Sequence, residues 1–327
     1  MTRLNVTGLK EKATSLGPGA DGTFAHIGAR GGTEMMMEGL RRYVDPDLLS
    51  QYNVICSRIR GELDPSKRHL LWLHDTWDDP ESQHLADEKS RKRFAKLVFV
   101  SNYQQATYNI GLDVPHTAGV VLQNAIEPIT QHEKPEGKTL RLIYHTTPHR
   151  GLELLVPVCE HLAQEGYDFH LDVYSSFSIY GWSQRDEPYK ELFQRITRHP
   201  NMTYHGYQPN EVVREALKQA HIYAYPNIWP ETSAISVIEA MSAGCTIVCP
   251  NYAALPETTA GFAAMYPYME EVNPHANRFA AVLADVMRGY WSEGNQNKLR
   301  FQKVYADSFY SWQVRARQWE SFLSSLK

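Results

Sequence analysis

This chain has little of what marks secreted, membrane-spanning or metal-assembled proteins. Only four of its 327 residues are cysteine, at positions 56, 159, 245 and 249, and their spacing is not that of a metal site or a disulfide framework. Cys245 and Cys249 fall in an apolar run, where a cysteine reads as a small core residue. No apolar run approaches the roughly 18 residues of a membrane span, so no integral membrane association is expected. Residues 1–17 are polar and have no signal-peptide core, which predicts a cytoplasmic, reducing compartment. The 14 histidines form no His-Glu-X-X-His pattern, and no metal site is expected. Asp45-Pro46-Asp47 has the letters of an Asp-X-Asp motif, but its proline suits a turn, and Asp78-Asp79-Pro80 suits a helix entry. A net charge of −4 supplies no bulk attraction to nucleic acid.

What is present is the composition of a folded α/β protein. With 43% hydrophobic and 21% charged residues the chain can bury a sizeable core, and its length predicts two domains of about 150 residues. Short apolar runs typical of buried parallel strands alternate with helical patterns. In the first half, strands are expected at residues 52–56, 70–73 and 97–100, and helices at 35–43 and 88–96. The first ~25 residues read as loop, with 23–27 the one candidate strand ahead of Gly31-Gly32. In the second half, strands are expected at 140–144, 170–174 and 202–205. Helices are expected at 152–165, 189–198 and 211–219, with a loop at 177–186. The pattern is largely helical from residue 278, and the last helix carries an apolar stripe through Trp312, Ala316, Trp319 and Leu323. The predicted organisation is a domain at 1–127, a linker at 128–138, a second domain at 139–305 and a C-terminal helix at 306–327.

The most informative run is Pro230-Glu231-Thr232-Ser233-Ala234-Ile235-Ser236-Val237-Ile238-Glu239, which lies between the strand patterns at 221–226 and 245–250. It predicts a βαβ unit with Glu231 in the loop and Glu239 inside the helix. In open parallel sheets ligands bind outside the carboxyl ends of the strands, which puts Glu231 at the binding edge. At ~1.5 Å rise per residue, a helix separating the glutamates by eight positions sets them roughly 12 Å apart, about the span of a sugar, a diphosphate and a ribose. Free amides near residues 232–234 would offer a helix N-terminus to an anion. The same spacing also suits a helix whose first glutamate favours the dipole and whose second lies on a solvated face.

Several segments, in order along most of the chain, carry a resemblance. Gly31-Gly32-Thr33-Glu34, Val100-Ser101, Val121-Leu122-Gln123-Asn124-Ala125-Ile126-Glu127, Thr147-Pro148-His149-Arg150-Gly151, Tyr204-His205-Gly206-Tyr207 and the paired glutamates resemble those of the retaining glycosyltransferases of family 4. The resemblance implies the GT-B architecture: α/β, two Rossmann-like domains facing across a cleft, with the C-terminal helix crossing back to the first. It implies transfer of a glucose- or mannose-type hexose from a UDP- or GDP-sugar, without cofactor or magnesium. The acceptor is a hydroxyl of a carbohydrate or small molecule, or of a modified nucleobase in DNA. A GT-B nucleotide-sugar epimerase and a non-catalytic nucleotide-sugar-binding protein are the other readings.

The implied roles follow residue by residue. Arg150 holds the departing diphosphate, with His145 standing where the family has a second basic residue; histidine is only partly charged near neutral pH. Glu231 holds the donor sugar and Glu239 the ribose. The backbone of Ser233, Ala234 and Ile235 takes phosphate, although the family often has glycines just after its first glutamate. Tyr207 meets the nucleobase, Gly31 and Gly32 let backbone approach the phosphates, and His74 positions the sugar. With no enzyme nucleophile, the leaving phosphate itself accepts the acceptor's proton.

Overall fold

The computed structural model describes residues 4–6 and 31–326. The candidate strand at 23–27, and the expected N-terminal loop apart from residues 4–6, lie outside the described residues. The rest forms two compact units: one of residues 31–127, Pro230–Ile235 and 308–326, the other of residues 4–6, Pro128–Trp229 and Ser236–Asp307.

In the first unit, α1 (Gly32–Tyr43) and α2 (Pro46–Leu49) precede β1 (Tyr52–Cys56) and β2 (Arg68–Leu73). Then come α3 (Glu88–Arg91), β3 (Lys96–Phe99), α4 (Asn102–Leu112) and β4 (Gly119–Val121). The strands are parallel, in the order β1-β2-β3-β4. β2 is apolar throughout its second half because both faces are covered. Leu70 and Trp72 join the cluster with Met36 and Leu40, while Leu71 and Leu73 join the one with Phe94 and Tyr108. The charged run at 88–96 makes only one turn of helix. The Asp87 carboxylate caps it by accepting from the Ser90 amide at 3.0 Å, and β3 begins at Lys96. α4 had no apolar stripe to announce it, since its buried side chains include Gln104, Gln105 and Tyr108. Asp45 and Asp79 each accept from the amide two residues on, as caps of α2 and of a short 3-10 turn.

The second unit holds β5 (Leu140–Tyr144), α5 (Leu152–Gln164), β6 (Phe169–Val173), α6 (Lys190–Arg198), β7 (Met202–Tyr204), α7 (Asn210–Gln219) and β8 (Ile222–Ala224). It continues through α8 (Ile235–Ser242), β9 (Thr246–Pro250), α9 (Leu255–Thr259), β10 (Ala264–Tyr266), α10 (Val272–Gly289) and α11 (Glu293–Phe309). The sheet is parallel, in the order β10-β9-β8-β5-β6-β7. Counted from β5 this is the doubly wound order 3-2-1-4-5-6, and its switch point lies between β5 and β8. Residues 177–186, read as loop, contain 3-10 turns at Phe177–Tyr180 and Ser183–Tyr189. The helix expected from residue 278 starts six residues earlier, at Val272.

The last helix, α12 (Trp312–Ser325), belongs to the first unit. All four residues of its apolar stripe are buried in the cluster with Trp72. Trp319 meets Trp72 edge-on at 4.9 Å, and the Tyr52 hydroxyl donates to the Leu323 carbonyl at 2.7 Å.

Candidate functional site

Two loops leave the switch point of the second unit. After β5 the chain runs through His145 to the turn Pro148–Arg150 and then to Gly151, which opens α5 at φ +120°. A Cβ on Gly151 would lie 2.2 Å from the Pro226 carbonyl oxygen, in the loop after β8. Only glycine allows the two loops to approach this closely. The Tyr144 hydroxyl donates to the Thr147 carbonyl at 2.9 Å, and Arg150 Nε donates to Thr147 Oγ1 at 3.2 Å. These bonds tie the arginine to the end of its strand.

His145 differs from a clamp residue. It is buried beside the Tyr223 ring at 4.8 Å, and its Nε2 has no hydrogen-bond partner. Burial pushes its pKa down to about 3, against a hydrogen bond to the Ser236 backbone that raises it. The imidazole is therefore neutral near pH 7. His149 stacks on Phe177 at 5.2 Å and meets Trp229 edge-on at 4.8 Å. Burial, then the charges of Arg150 and Arg185, hold His149 well below its ordinary value. Arg185 itself lies over the Trp182 ring at 4.6 Å.

Glu239 is on α8 and only 3% exposed. Arg214 Nη1 donates to its Oε1 at 2.8 Å, and Asn210 Nδ2 lies 3.3 and 3.2 Å from its two oxygens. Burial raises its pKa, opposed by the Arg214 charge and by the hydrogen bonds from Arg214 and Asn210. Tyr207 precedes α7 by a short turn and is 38% exposed, behind Gly206 at φ +64°. At the ends of β6 and β7, Tyr174 stacks on His205 at 4.3 Å, and His205 Nε2 sits 2.8 Å from Asp172 Oδ1.

The remaining predicted residues fall in the first unit. His74 follows β2; its amide donates to Ser57 Oγ at 3.2 Å and its ring packs on Trp72 at 4.8 Å. Its Nε2 is buried without a hydrogen-bond partner, and burial pushes its pKa down to about 3. Thr232 Oγ1 donates to the His74 carbonyl at 2.8 Å, and Asn124 Nδ2 donates to the Ser233 carbonyl at 3.4 Å. Glu231 and Ala234 are buried in the same segment. A Cβ on Gly32 would come within 3.0 Å of Ile235 Cδ1. Gly31 caps α1 in an extended conformation, at φ −72°, that any residue adopts.

The structure thus gathers His74, Gly31, Gly32, Glu231, Ser233, Ala234 and Ile235 in one unit, and His145, Arg150, Tyr207 and Glu239 in the other. The expected helix N-terminus at 232–234 moves on, because α8 begins at Ile235. Half of the eight steps between the glutamates are therefore loop, and the 1.5 Å rise does not apply to them. Sequence reasoning missed Asn210 and Arg214, whose i,i+4 spacing on α7 was a usable signal. It also missed Arg185, which had none. Among the described residues no group of three or more His, Cys, Asp or Glu side chains could hold a metal ion, and no helix is long and apolar enough to cross a membrane.

Residues 127–288 match the family described as glycosyl transferases group 1. Over 77 residues the chain is 35% identical to O-antigen chain mannosyltransferase B of Escherichia coli; that match covers 24% of this chain and 19%, about a fifth, of the relative's length. Among solved structures, a glycosyltransferase from Rickettsia africae superposes with a TM-score of 0.66 at 13% identity, over 90% of this chain and 80% of that one. HepE of Anabaena, solved in complex with UDP, gives a TM-score of 0.62 at 14% identity, over 79% of this chain and 72% of that one. The pneumococcal O-GlcNAc transferase GtfA, solved with UDP and GlcNAc, gives 0.61 at 11% identity, over 80% of this chain and 53% of that one. At these identities the likeness shows the fold alone: two parallel-sheet α/β domains of the GT-B kind.

Proposed function

We propose that this chain is a retaining glycosyltransferase of family 4 type, moving a hexose from a UDP- or GDP-sugar to a hydroxyl acceptor. The observation that carries the reading lies within residues 127–288: a doubly wound switch point with Arg150 tied to its first strand and a second cation, Arg185, whose charge acts on the same His149 as that of Arg150. Breaking the donor at its anomeric carbon passes through an oxocarbenium-like state and leaves negative charge on the departing diphosphate. Guanidinium groups meet that charge with paired N–H donors. His145, held neutral by burial, cannot supply the second positive charge. We assign that role to Arg185.

Glu239 accepts from the ribose hydroxyls in this proposal. Oε1 accepts from both Arg214 and Asn210 and Oε2 from Asn210, so the acceptor capacity for that purpose is on Oε2. Glu231 holds the donor sugar, amides of residues 233–235 take phosphate, Tyr207 meets the base, and His74 positions the sugar. Gly32 allows the close approach of Ile235. The leaving phosphate takes the acceptor's proton, since no side chain is assigned as nucleophile.

A thermal-shift screen of UDP- and GDP-hexoses, followed by assay of diphosphate release, tests this reading. One donor should raise the melting temperature. Arg150→Ala and Glu239→Gln should each lose that rise, judged against the variant's own ligand-free baseline. An unchanged rise in both variants removes the site assignment. Interconversion of the nucleotide sugar without acceptor would make the protein an epimerase instead, and binding without turnover would make it a binding protein.

A further inference from the structure

The carboxyl end of β2 carries more than His74. Trp77 lies three residues beyond it and is 37% exposed, although tryptophan is on average a highly buried residue. It is nevertheless held in place. A Cβ on Gly111 of α4 would lie 2.2, 2.4 and 2.7 Å from its Cε3, Cδ2 and Cζ3. The six-membered ring of the indole therefore rests on bare helix backbone, and glycine is what makes the room. Gln83 Nε2 donates to the Trp77 carbonyl at 2.7 Å, and Gln104 Nε2 donates to the Asp75 carbonyl at 2.8 Å, so the loop under the ring is fixed as well.

The same loop carries charged groups and holds an arginine. Arg58 lies 3.6 Å from Asp75 and 3.4 Å from Asp79, with the Asp75 side chain 30% and that of Arg58 21% exposed. A pyranose ring offers an apolar C–H face to an aromatic surface and a rim of hydroxyls to carboxylate acceptors and guanidinium donors. A rigid, partly exposed indole and, two residues before it, a partly exposed carboxylate paired to a guanidinium supply both features. Nucleic acid fits less well: residues 75–81 contain Asp75, Asp78, Asp79 and Glu81 and no lysine or arginine, a charge that repels a phosphate backbone.

We propose that Trp77, Arg58 and Asp75 form a subsite for a carbohydrate acceptor, so that the hydroxyl receiving the hexose belongs to a sugar rather than to a base in DNA. The inference rests on the glycosyltransferase reading and names its acceptor class. Saturation-transfer NMR on the full chain would test it, using methyl α-mannoside, methyl α-glucoside and methyl N-acetyl-β-glucosaminide as probes and a hydroxymethylated DNA oligonucleotide as the competing class. At least one glycoside should receive saturation at its ring C–H protons. Trp77→Ala should weaken that binding at least fivefold, and Trp77→Phe, which keeps an aromatic face, should weaken it less. Circular dichroism confirms that the variants fold. Absence of glycoside binding to the unaltered chain, full binding by a folded Trp77→Ala, or binding of the oligonucleotide alone overturns the subsite. The donor thermal shift separates the two failures: if it is present while the glycoside result fails, only the subsite falls, and if it is absent the glycosyltransferase reading falls with it.

Discussion

A methyl group on residue 151 has nowhere to go. Its carbon would sit 2.2 Å from a backbone oxygen, that of Pro226, and φ at this position is +120°, outside the range open to L side chains. Backbone cannot swing aside as the end of a side chain can. Gly151→Ala should therefore cost about 2 kcal/mol or more, since strain of this type alone is worth roughly 1–3 kcal/mol. It should also displace the neighbouring Arg150 and reduce the donor-induced thermal shift. Gly32 provides the contrast, because its Cβ would meet only Ile235 Cδ1, at 3.0 Å, with no positive φ. The denaturation midpoint of Gly151→Ala should fall clearly further than that of Gly32→Ala, and equal midpoints would contradict the argument.

At the scale of elements, α12 is held by packing along its length as well as by its start, where Ser311 Oγ accepts from the Val314 amide and Trp312 N–H donates to the Ile126 carbonyl. Trp319 is fully buried against Trp72 in the centre of the first unit. Trp319→Ala should cost about 3–5 kcal/mol, the range for deleting a buried aromatic side chain, read as a lower midpoint in chemical denaturation. That helix was legible beforehand because four apolar residues recur at helical spacing and nothing else about the segment competes. β1 and β5 were legible to the residue for a related reason: short runs of apolar, strand-favouring residues, Val54-Ile55-Cys56 and Leu142-Ile143-Tyr144, stand out from polar flanks. α4 was not, because Gln104 and Tyr108 are buried with their polar atoms bonded to the carbonyls after β2, and such satisfaction is invisible in a periodic pattern. The candidate site divides in the same way. Arg150 and Glu239 could be named from local runs, whereas the pairing of Glu239 with Arg214 and the neutrality of His145 arise from packing between distant segments.

Across the whole molecule, buried and half-buried histidines set the response to acid. His74 lies in one unit and His145 and His149 in the other, and burial lowers the pKa of all three, of His74 and His145 to about 3. An unfolded chain protonates its histidines near pH 6.5, so between that pH and about 3 the unfolded state binds more protons than the native one. Stability from these groups is fully present above pH 6.5 and is lost as the pH falls. Each histidine removes about 1.4 kcal/mol per pH unit once the pH is well below 6.5. Asp75 and Glu239 run the other way, because burial raises their folded pKa values and favours native protonation as the pH drops toward the carboxylate range. A single substitution on a constant background isolates one histidine from that opposition. His74 suits the purpose, since burial is the cause of its shift, its Nε2 has no hydrogen-bond partner to lose, and a phenyl ring can keep the packing on Trp72. Urea denaturation at pH 8 and pH 5 should show His74→Phe losing about 2 kcal/mol less than the unaltered chain over that interval. Equal losses in the two proteins would mean that His74 takes up its proton in the folded state, and that its imidazole is not sealed from water.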